Sequence, residues 1–181
     1  MMLSIAFERL RSLFPANELQ LNSRVSDSEL DNLAAQLNIP IPPALHELLQ
    51  HADGQEDGGA SLWGHFRFLP ARAIANDYRL HLKYREEIKN SNALHLHDSR
   101  VVRDHDWQPS WVPIGRVFSS SLFVDQSPQP SGSVGQIVLW NGDDCFAKVV
   151  AEDLKQFLEL TIKNASEVAY ADNFGFSFEY K

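Results

Sequence analysis

The chain has 181 residues, enough for one domain, and its 44% hydrophobic and 22% charged residues are ordinary for a water-soluble globular protein. Its 16 Lys and Arg residues are outnumbered by 24 Asp and Glu residues, and the formal net charge of −8 disfavours direct binding to nucleic acid. The single cysteine, Cys145, excludes an intramolecular disulfide and a cysteine-based zinc site, which suits a reducing compartment.

The first 24 residues predict a helical extension that docks on the rest of the protein. Leu3, Phe7 and Leu10 recur at the spacing that places apolar side chains on one face of a helix. The segment is too short and too charged for a membrane span or a signal peptide. We therefore expect no membrane contact and a cytoplasmic location.

Two further helices are predicted before residue 55. Ser26 and Glu29 have the spacing of a capping box, in which each side chain satisfies an unpaired amide at a helix start. Asn38 marks the end of that helix. Pro43 suits the first turn of the next one, and Gly54 is predicted to end it in a left-handed conformation. Since few residues separate the two helices, we expect them to pack as neighbours.

The second half of the chain predicts a sheet and a closing helix. A strand in LWGHFRFLP, a helix over 71 to about 89 and an irregular segment over 90–110 come first. Short runs rich in β-branched and aromatic residues then predict four strands, which are WVPIGRVF, SLFVDQ, VGQIVLW and CFAKVV. Asn141 and Gly142 predict that the last two strands pair as an antiparallel hairpin. With the helix predicted in AEDLKQFLELTIKN, the chain reads as one α+β domain, a mostly antiparallel sheet packed against N-terminal and C-terminal helices.

The last 18 residues, 164–181, form an aromatic tail. Phe174, Phe176, Phe178 and Tyr180 alternate with smaller or polar residues, as in a half-buried strand. We expect this strand to pair with a sheet edge of its own domain. Pairing with a partner chain is the alternative, because sheet edges accept added strands.

One polar segment contains a cluster suited to metal binding. His95, His97 and Asp104 offer imidazole and carboxylate ligands, which zinc and iron accept. The spacing matches no metal motif, and histidines in a polar segment are more often solvated. A metal-dependent enzyme that uses these residues is therefore a remote alternative, and we expect no metal or cofactor.

Asp125 raises a separate question, because it stands between an apolar run and a loop of Pro, Ser and Gly. A desolvated carboxylate can act as a general base, but no second carboxylate lies at a fixed local offset. The alternative is that Asp125 shapes the loop that follows, as Asp readily does.

The order of the motifs resembles the SUKH superfamily, named for the fungal Smi/Knr cell-wall regulators. The matching stretches, in chain order, are LNIPIPPALHELLQHADGQ, LWGHFRFLPARAI, WQPSWVPIG, LFVDQSPQPSGSVGQIV and VVAEDLKQFLELTI. The resemblance assigns 25–163 to the domain, 1–24 to the extension and 164–181 to the tail. One departure is GRVFSSS, where many members have a glycine-rich turn, so the shape of this loop stays open.

The resemblance implies a non-catalytic protein-binding domain. Bacterial members are typically immunity proteins that neutralise a cognate toxin, often a nuclease, and fungal members act as regulatory interaction modules. Our first hypothesis is an immunity protein that neutralises a toxin by occluding it, and we expect the toxin to have a basic surface. The alternative is a housekeeping regulatory module of the kind that acts in cell-envelope synthesis. We expect a monomer or a weak homodimer.

The partner-binding residues are predicted from charge and aromatic character. Complementary charge speeds the encounter with a basic partner, and a buried aromatic anchor slows release. The candidates are Glu56, Asp57, Asp104, Asp106, Asp143 and, as the aromatic anchor, Trp107.

Overall fold

The computed structural model describes residues 2–15, 18–87, 96–102, 107–144 and 146–168. Within these ranges the chain forms five helices and six strands. The helices are α1 (Leu3–Arg11), α2 (Asp27–Leu37), α3 (Pro43–Leu49), α4 (Ala71–Glu87) and α5 (Leu154–Val168). The strands are β1 (Arg67–Phe68), β2 (Leu96–His97), β3 (Trp111–Val117), β4 (Ser120–Asp125), β5 (Gln136–Asn141) and β6 (Phe146–Ala151).

The strands form one sheet in the order β1-β3-β4-β5-β6-β2. Every neighbouring pair is antiparallel except β2 with β6, which is parallel. The predicted α+β fold is confirmed, and so is the predicted antiparallel hairpin, which is formed by β5 and β6. The short strand β2 was missed, because it lies in the segment predicted to be irregular.

Helices cover both faces of the sheet. On one face, the ring of Phe123 lies 5.4 Å from His81 of α4. On the other face, Leu122 lies beside Trp63, whose ring is 5.6 Å from Phe157 of α5. Because side chains alternate along a strand, the neighbours Leu122 and Phe123 of β4 fill the two halves of the core.

The N-terminal extension shares this core. Leu3, Phe7 and Leu10 of α1 are buried, and α1 packs against α3 and α5. The predicted docking of this segment is therefore confirmed. No helix in the described parts of the chain is both long and apolar enough to cross a membrane.

The capping box at the start of α2 is present as predicted. The backbone amide of Ser26 donates to the Glu29 carboxylate at 2.9 Å, and the Glu29 amide donates to the Ser26 hydroxyl at 3.3 Å. Asn38 ends the helix in the left-handed conformation, with φ at 53°.

The prediction that α2 and α3 pack mainly on each other is wrong. Helix α2 packs on α4, and α3 packs on α1 and α5.

Gly54 is left-handed as predicted, with φ at +66°, but it does not end a helix, because α3 already ends at Leu49. Its role is a close approach between two backbones. A Cβ atom at Gly54 would lie 2.2 Å from the nitrogen of Pro70. The two segments are also joined at the preceding residue, because the Asp53 carboxylate accepts a hydrogen bond of 2.6 Å from the amide of Ala71, the first residue of α4.

The C-terminal helix is longer than predicted. It continues to Val168, so the boundary placed between 163 and 164 falls inside α5. The aromatic residues predicted to form an edge strand lie outside the described residues, and that strand stays a prediction.

Substituting alanine at Gly54 tests the close approach, with Gly135 as the matched control. Both glycines are left-handed, but a Cβ atom at Gly135 would meet nothing within 4 Å. We expect Gly135→Ala to lower the free energy of unfolding by about 1 kcal/mol from backbone strain. Gly54→Ala should lower it by at least about 3 kcal/mol, because the clash adds to the strain. Equal losses in urea denaturation would contradict this role of Gly54.

Candidate functional site

Asp125 lies at the end of β4, fully buried, in a hydrogen-bond network. One carboxylate oxygen, Oδ1, accepts from the Ser127 amide at 2.9 Å and from the Ser110 hydroxyl at 3.3 Å. The other, Oδ2, accepts from the Gln136 side-chain amide at 3.0 Å. That amide also donates to the carbonyl oxygen of Arg100 at 3.1 Å. The network therefore joins β4, β5 and the chain around Arg100.

This environment makes Asp125 a structural residue. Burial raises the pKa of its carboxyl, and hydrogen bonds from Ser127, Gln136 and Ser110 partly offset that effect. Its backbone carbonyl also accepts from the Gly135 amide at 2.7 Å, which closes the loop over 126–135. The interpretation that Asp125 shapes the loop is confirmed by these bonds. A carboxylate with no exposed surface and its acceptor positions in use is poorly placed to take a proton from a substrate.

A second cluster surrounds His81 on the face of the sheet beneath α4. The imidazole stacks on Trp107 at 5.3 Å between ring centroids, with the rings 15° from parallel. Phe123 and Trp140 meet it edge-on at 5.4 and 5.3 Å. Burial, with a smaller contribution from the charge of Arg116, lowers the pKa of His81 to about 4. The cluster therefore holds a neutral imidazole in an aromatic environment at neutral pH.

The opposite end of the sheet from Asp125 carries two adjacent turns. Phe118 and Ser119 connect β3 to β4, and 142–144 follow β5 on the way to β6. The Gly142 amide donates to the Ser119 carbonyl oxygen at 3.0 Å, and the Asn141 side chain donates to the Ser120 hydroxyl at 3.0 Å. We call the turn residues 118–119 and 142–144 the hairpin end of the sheet.

The hairpin end is exposed and carries carboxylates. Asp143 and Asp144 are both exposed, and so is Phe118, at 98% of its surface. The Asp144 amide donates to the Asn141 side-chain oxygen at 2.8 Å, which fixes the turn. The two carboxylates therefore project from an ordered turn next to an aromatic ring.

Two other predicted residues, Glu56 and Asp57, lie towards the same end of the sheet. Both are exposed, and Asp57 pairs with Arg67 at the start of β1. Arg67 is opposite Arg116 in the sheet, two residues before Phe118. Arg116 in turn pairs with Asp77 of α4 at 2.8 Å. The structure thus brings Glu56, Asp57 and Asp143 to one end of the sheet, with both arginines on this edge paired to carboxylates.

The choice of Trp107 as a surface anchor is not supported. Only 2% of its surface is exposed, and its ring packs between Tyr78 and His81. Trp107 stands in a polar segment of the sequence, and the helix that covers it, α4, is separated from it in the chain, so local patterns did not decide between a core and a partner contact. Asp104 and Asp106 lie outside the described residues, so their role stays a prediction.

The metal-site alternative is not tested, because His95, Asp104 and the side chain of His97 are not among the described atoms. Asp98 of the same segment is described, and it forms a two-point ion pair with Arg100 at 2.9 and 2.5 Å. Those hydrogen bonds lower the pKa of Asp98 to about 2. Within the described ranges, no group of three or more His, Cys, Asp or Glu residues is arranged to hold a metal ion.

An open groove of about 580 Å³ lies between the end of α1 and the segment over 19–22. Glu8, Arg11, Gln20, Asn22 and His51 are among its lining residues. The lining is mixed in charge, and it offers no concentration of one chemical type that would select a ligand.

Comparison with known proteins assigns this fold to a family. An α+β domain with its polar network buried at one end of the sheet and its turns exposed at the other is a scaffold suited to presenting loops. Residues 24–160 match the SMI1 / KNR4 family (SUKH-1), and the chain belongs to this family. Helix α1 lies before the matched range but shares the hydrophobic core.

Two curated fungal proteins are similar to this chain. One is a "Glucan synthesis regulatory protein" of Neurospora crassa, 24% identical over 183 residues, which cover 81% of this chain and 34% of that protein. The other is the "Cell wall biosynthesis/cell cycle regulator smi1" of Schizosaccharomyces pombe, 24% identical over 148 residues, which cover 74% of this chain and 29% of that protein. The chain therefore spans about a third of the length of these relatives.

Replacing Asp125 tests its role as the anchor of the loop. Asp125→Ala removes the acceptor for the Ser127 and Gln136 donors, and we expect a loss of about 3 kcal/mol in the free energy of unfolding. Asp125→Asn keeps one acceptor oxygen and should lose less. The exposed Asp144→Ala is the control and should change stability by less than about 0.5 kcal/mol. If Asp125→Ala were no more destabilising than the control, the network would not be structural.

The environment of His81 predicts a pH dependence of stability. Its pKa falls from 6.5 when unfolded to about 4 when folded, so on acidification the unfolded chain binds the proton first. The stabilisation is complete above pH 6.5 and is lost between pH 6.5 and 4, by up to about 3 kcal/mol. We expect His81→Phe to remove this part of the pH dependence, whereas the exposed His65→Gln should retain it. Identical pH profiles for His81→Phe and the wild type would contradict the assignment.

Proposed function

We propose that the protein is a non-catalytic binding domain that holds a protein partner against the hairpin end of its sheet. One observation carries the proposal: the exposed carboxylates of Asp143 and Asp144 stand on an ordered turn at the end of the sheet where Glu56 and Asp57 also lie. The scaffold behind them is rigid, because β3, β4, β5 and β6 are paired as neighbours. A fixed acidic surface of this kind is complementary to a basic partner surface.

The polar groups inside the domain support binding over catalysis. Asp125 is enclosed in its network and Asp98 is paired with Arg100. Asp77 is buried and paired with Arg116, and His81 is held neutral between aromatic rings. Each of these groups has a structural contact to maintain, whereas Asp143 and Asp144 are turned to solvent.

The first candidate role is immunity to a toxin. The net charge of −8 and the acidic hairpin end fit a partner whose active cleft is basic, as in a nuclease. Binding over such a cleft would exclude its substrate, and complementary charge would speed the encounter. This role needs a tight complex and no chemistry from the protein itself.

The second candidate role is regulation of cell-envelope synthesis. The names of the two fungal relatives favour it, since one regulates glucan synthesis and the other cell-wall biosynthesis. The partner would then be a component of the envelope machinery. The hairpin end would serve both roles, so the two candidates differ in the partner and not in the surface.

Co-expression with proteins encoded beside this one separates the roles. If the protein is an immunity protein, one neighbouring product should stop growth when expressed alone, and this chain should restore growth. Restored growth should accompany a stable complex of the two purified proteins. If no neighbouring product is toxic and the chain instead binds an envelope component, the regulatory role replaces immunity. If the chain binds neither kind of protein, the binding proposal fails.

Neutralising the acidic turn tests the surface. The double variant Asp143→Asn/Asp144→Asn should lower the association rate with the purified partner about 10-fold at low salt, with a smaller effect at high salt. The matched control, Asp31→Asn/Glu159→Gln, removes the same charge from exposed positions on α2 and α5. Stopped-flow measurements in which both variants slow association equally would assign the effect to net charge and would contradict a hairpin-end surface.

A further inference from the structure

The turn between β3 and β4 has an unusual residue at its first position. Val117 and Ser120 are paired, so the turn consists of Phe118 and Ser119 alone. The backbone of Phe118 is left-handed, with φ at +48°. Gly, Asn and Asp are the residues that favour this conformation in tight hairpins, and a bulky side chain is strained in it.

The ring of Phe118 is also exposed. Its 98% exposure exceeds that of every other large hydrophobic residue in the described ranges, the next being Val134 at 74%. A single exposed apolar residue is common in soluble proteins and calls for no explanation. Backbone strain at the same position is different, because strained residues cluster at functional sites and persist only where the surrounding structure holds them in place. Phe118 combines strain with nearly complete exposure, so its ring contributes little to the stability of its own fold.

The surroundings of the ring are acidic and fixed. The Gly142 amide donates to the carbonyl oxygen of Ser119, which places the turn that carries Asp143 and Asp144 beside Phe118. The nearest cation along β3, Arg116, is paired with Asp77. A two-residue turn between paired strands restricts the backbone at Phe118, so little backbone freedom is lost on binding, and such preorganisation favours affinity.

We propose that Phe118 is the apolar anchor of the hairpin end, inserting into an apolar pocket of the protein partner that is bordered by Lys or Arg. This inference rests on the proposed function and adds a named anchor to it. The ring fills the pocket, while Asp143 and Asp144 meet the basic border. An aromatic residue at the centre with charges around it is the arrangement in which few residues supply most of the binding energy.

The test first locates the partner and then measures affinity. The photoreactive amino acid p-benzoyl-phenylalanine replaces Phe118 in one protein and Val134, at the other end of the sheet, in the control protein. Each protein is irradiated in the cells from which the sequence comes, and the cross-linked peptide is identified by mass spectrometry. The cross-linked protein is then purified and used as the probe in calorimetric titrations. We expect a cross-link from position 118 and none to the same protein from position 134.

The titrations compare Phe118→Asn with Phe118→Tyr. Asn tolerates the left-handed backbone, so its variant should keep its melting temperature or gain about 2 °C. Its affinity should fall by about 30-fold, as expected for an anchor residue. Phe118→Tyr keeps a ring and should retain most of the affinity. Loss of binding without loss of stability separates an anchor from a residue that merely supports the fold.

Three results would overturn the inference. In the first, the wild type and Phe118→Asn bind the purified partner with equal affinity. In the second, position 118 cross-links only to a second copy of this chain. In the third, the cross-linked peptide of the partner lacks apolar and basic residues. Under the first result the proposed function stands and only the anchor is wrong. If the wild-type protein binds no protein by either method, the proposed function fails as well.

Discussion

The register between β4 and β5 is the constraint on which the rest of the structure depends. Asp125 and Gln136 are opposite each other, and their side chains are joined by a hydrogen bond of 3.0 Å. A slip of one residue would turn each side chain of a strand to the opposite face. Leu122 and Phe123 would then exchange the α5 and α4 sides of the core. The buried network opposes that slip, because a shifted Gln136 could not also reach the carbonyl oxygen of Arg100.

The same register gives the two ends of the sheet different structures. At one end Asp125 and Gln136 are buried and hold the loop over 126–135. At the other end Ser120 is opposite Asn141, so the turns at 118–119 and 142–144 stand side by side. A contact inside the core therefore positions a surface on the far side of the domain.

The sequence predicted the features that depend on local patterns and missed those that depend on distant contacts. The capping box of Ser26 follows from spacing alone, and the strands follow from short apolar runs bounded by turn residues. Trp107 was misjudged because its polar neighbours in sequence say nothing of α4, which covers it. Phe118 was passed over because a left-handed φ at a non-glycine residue has no signature in the sequence. Family resemblance predicted the fold but not the surface that we propose for binding, since surface loops vary on a fixed scaffold.

We propose that the partner binds at the hairpin end of the sheet. Amide hydrogen exchange of the full chain, measured with and without the purified partner, tests it most directly. We expect slower exchange over 117–120 and 141–144 in the complex, with the loop over 126–135 unchanged. Slower exchange confined to that loop, or to the groove beside α1, with none at the hairpin end, would contradict it.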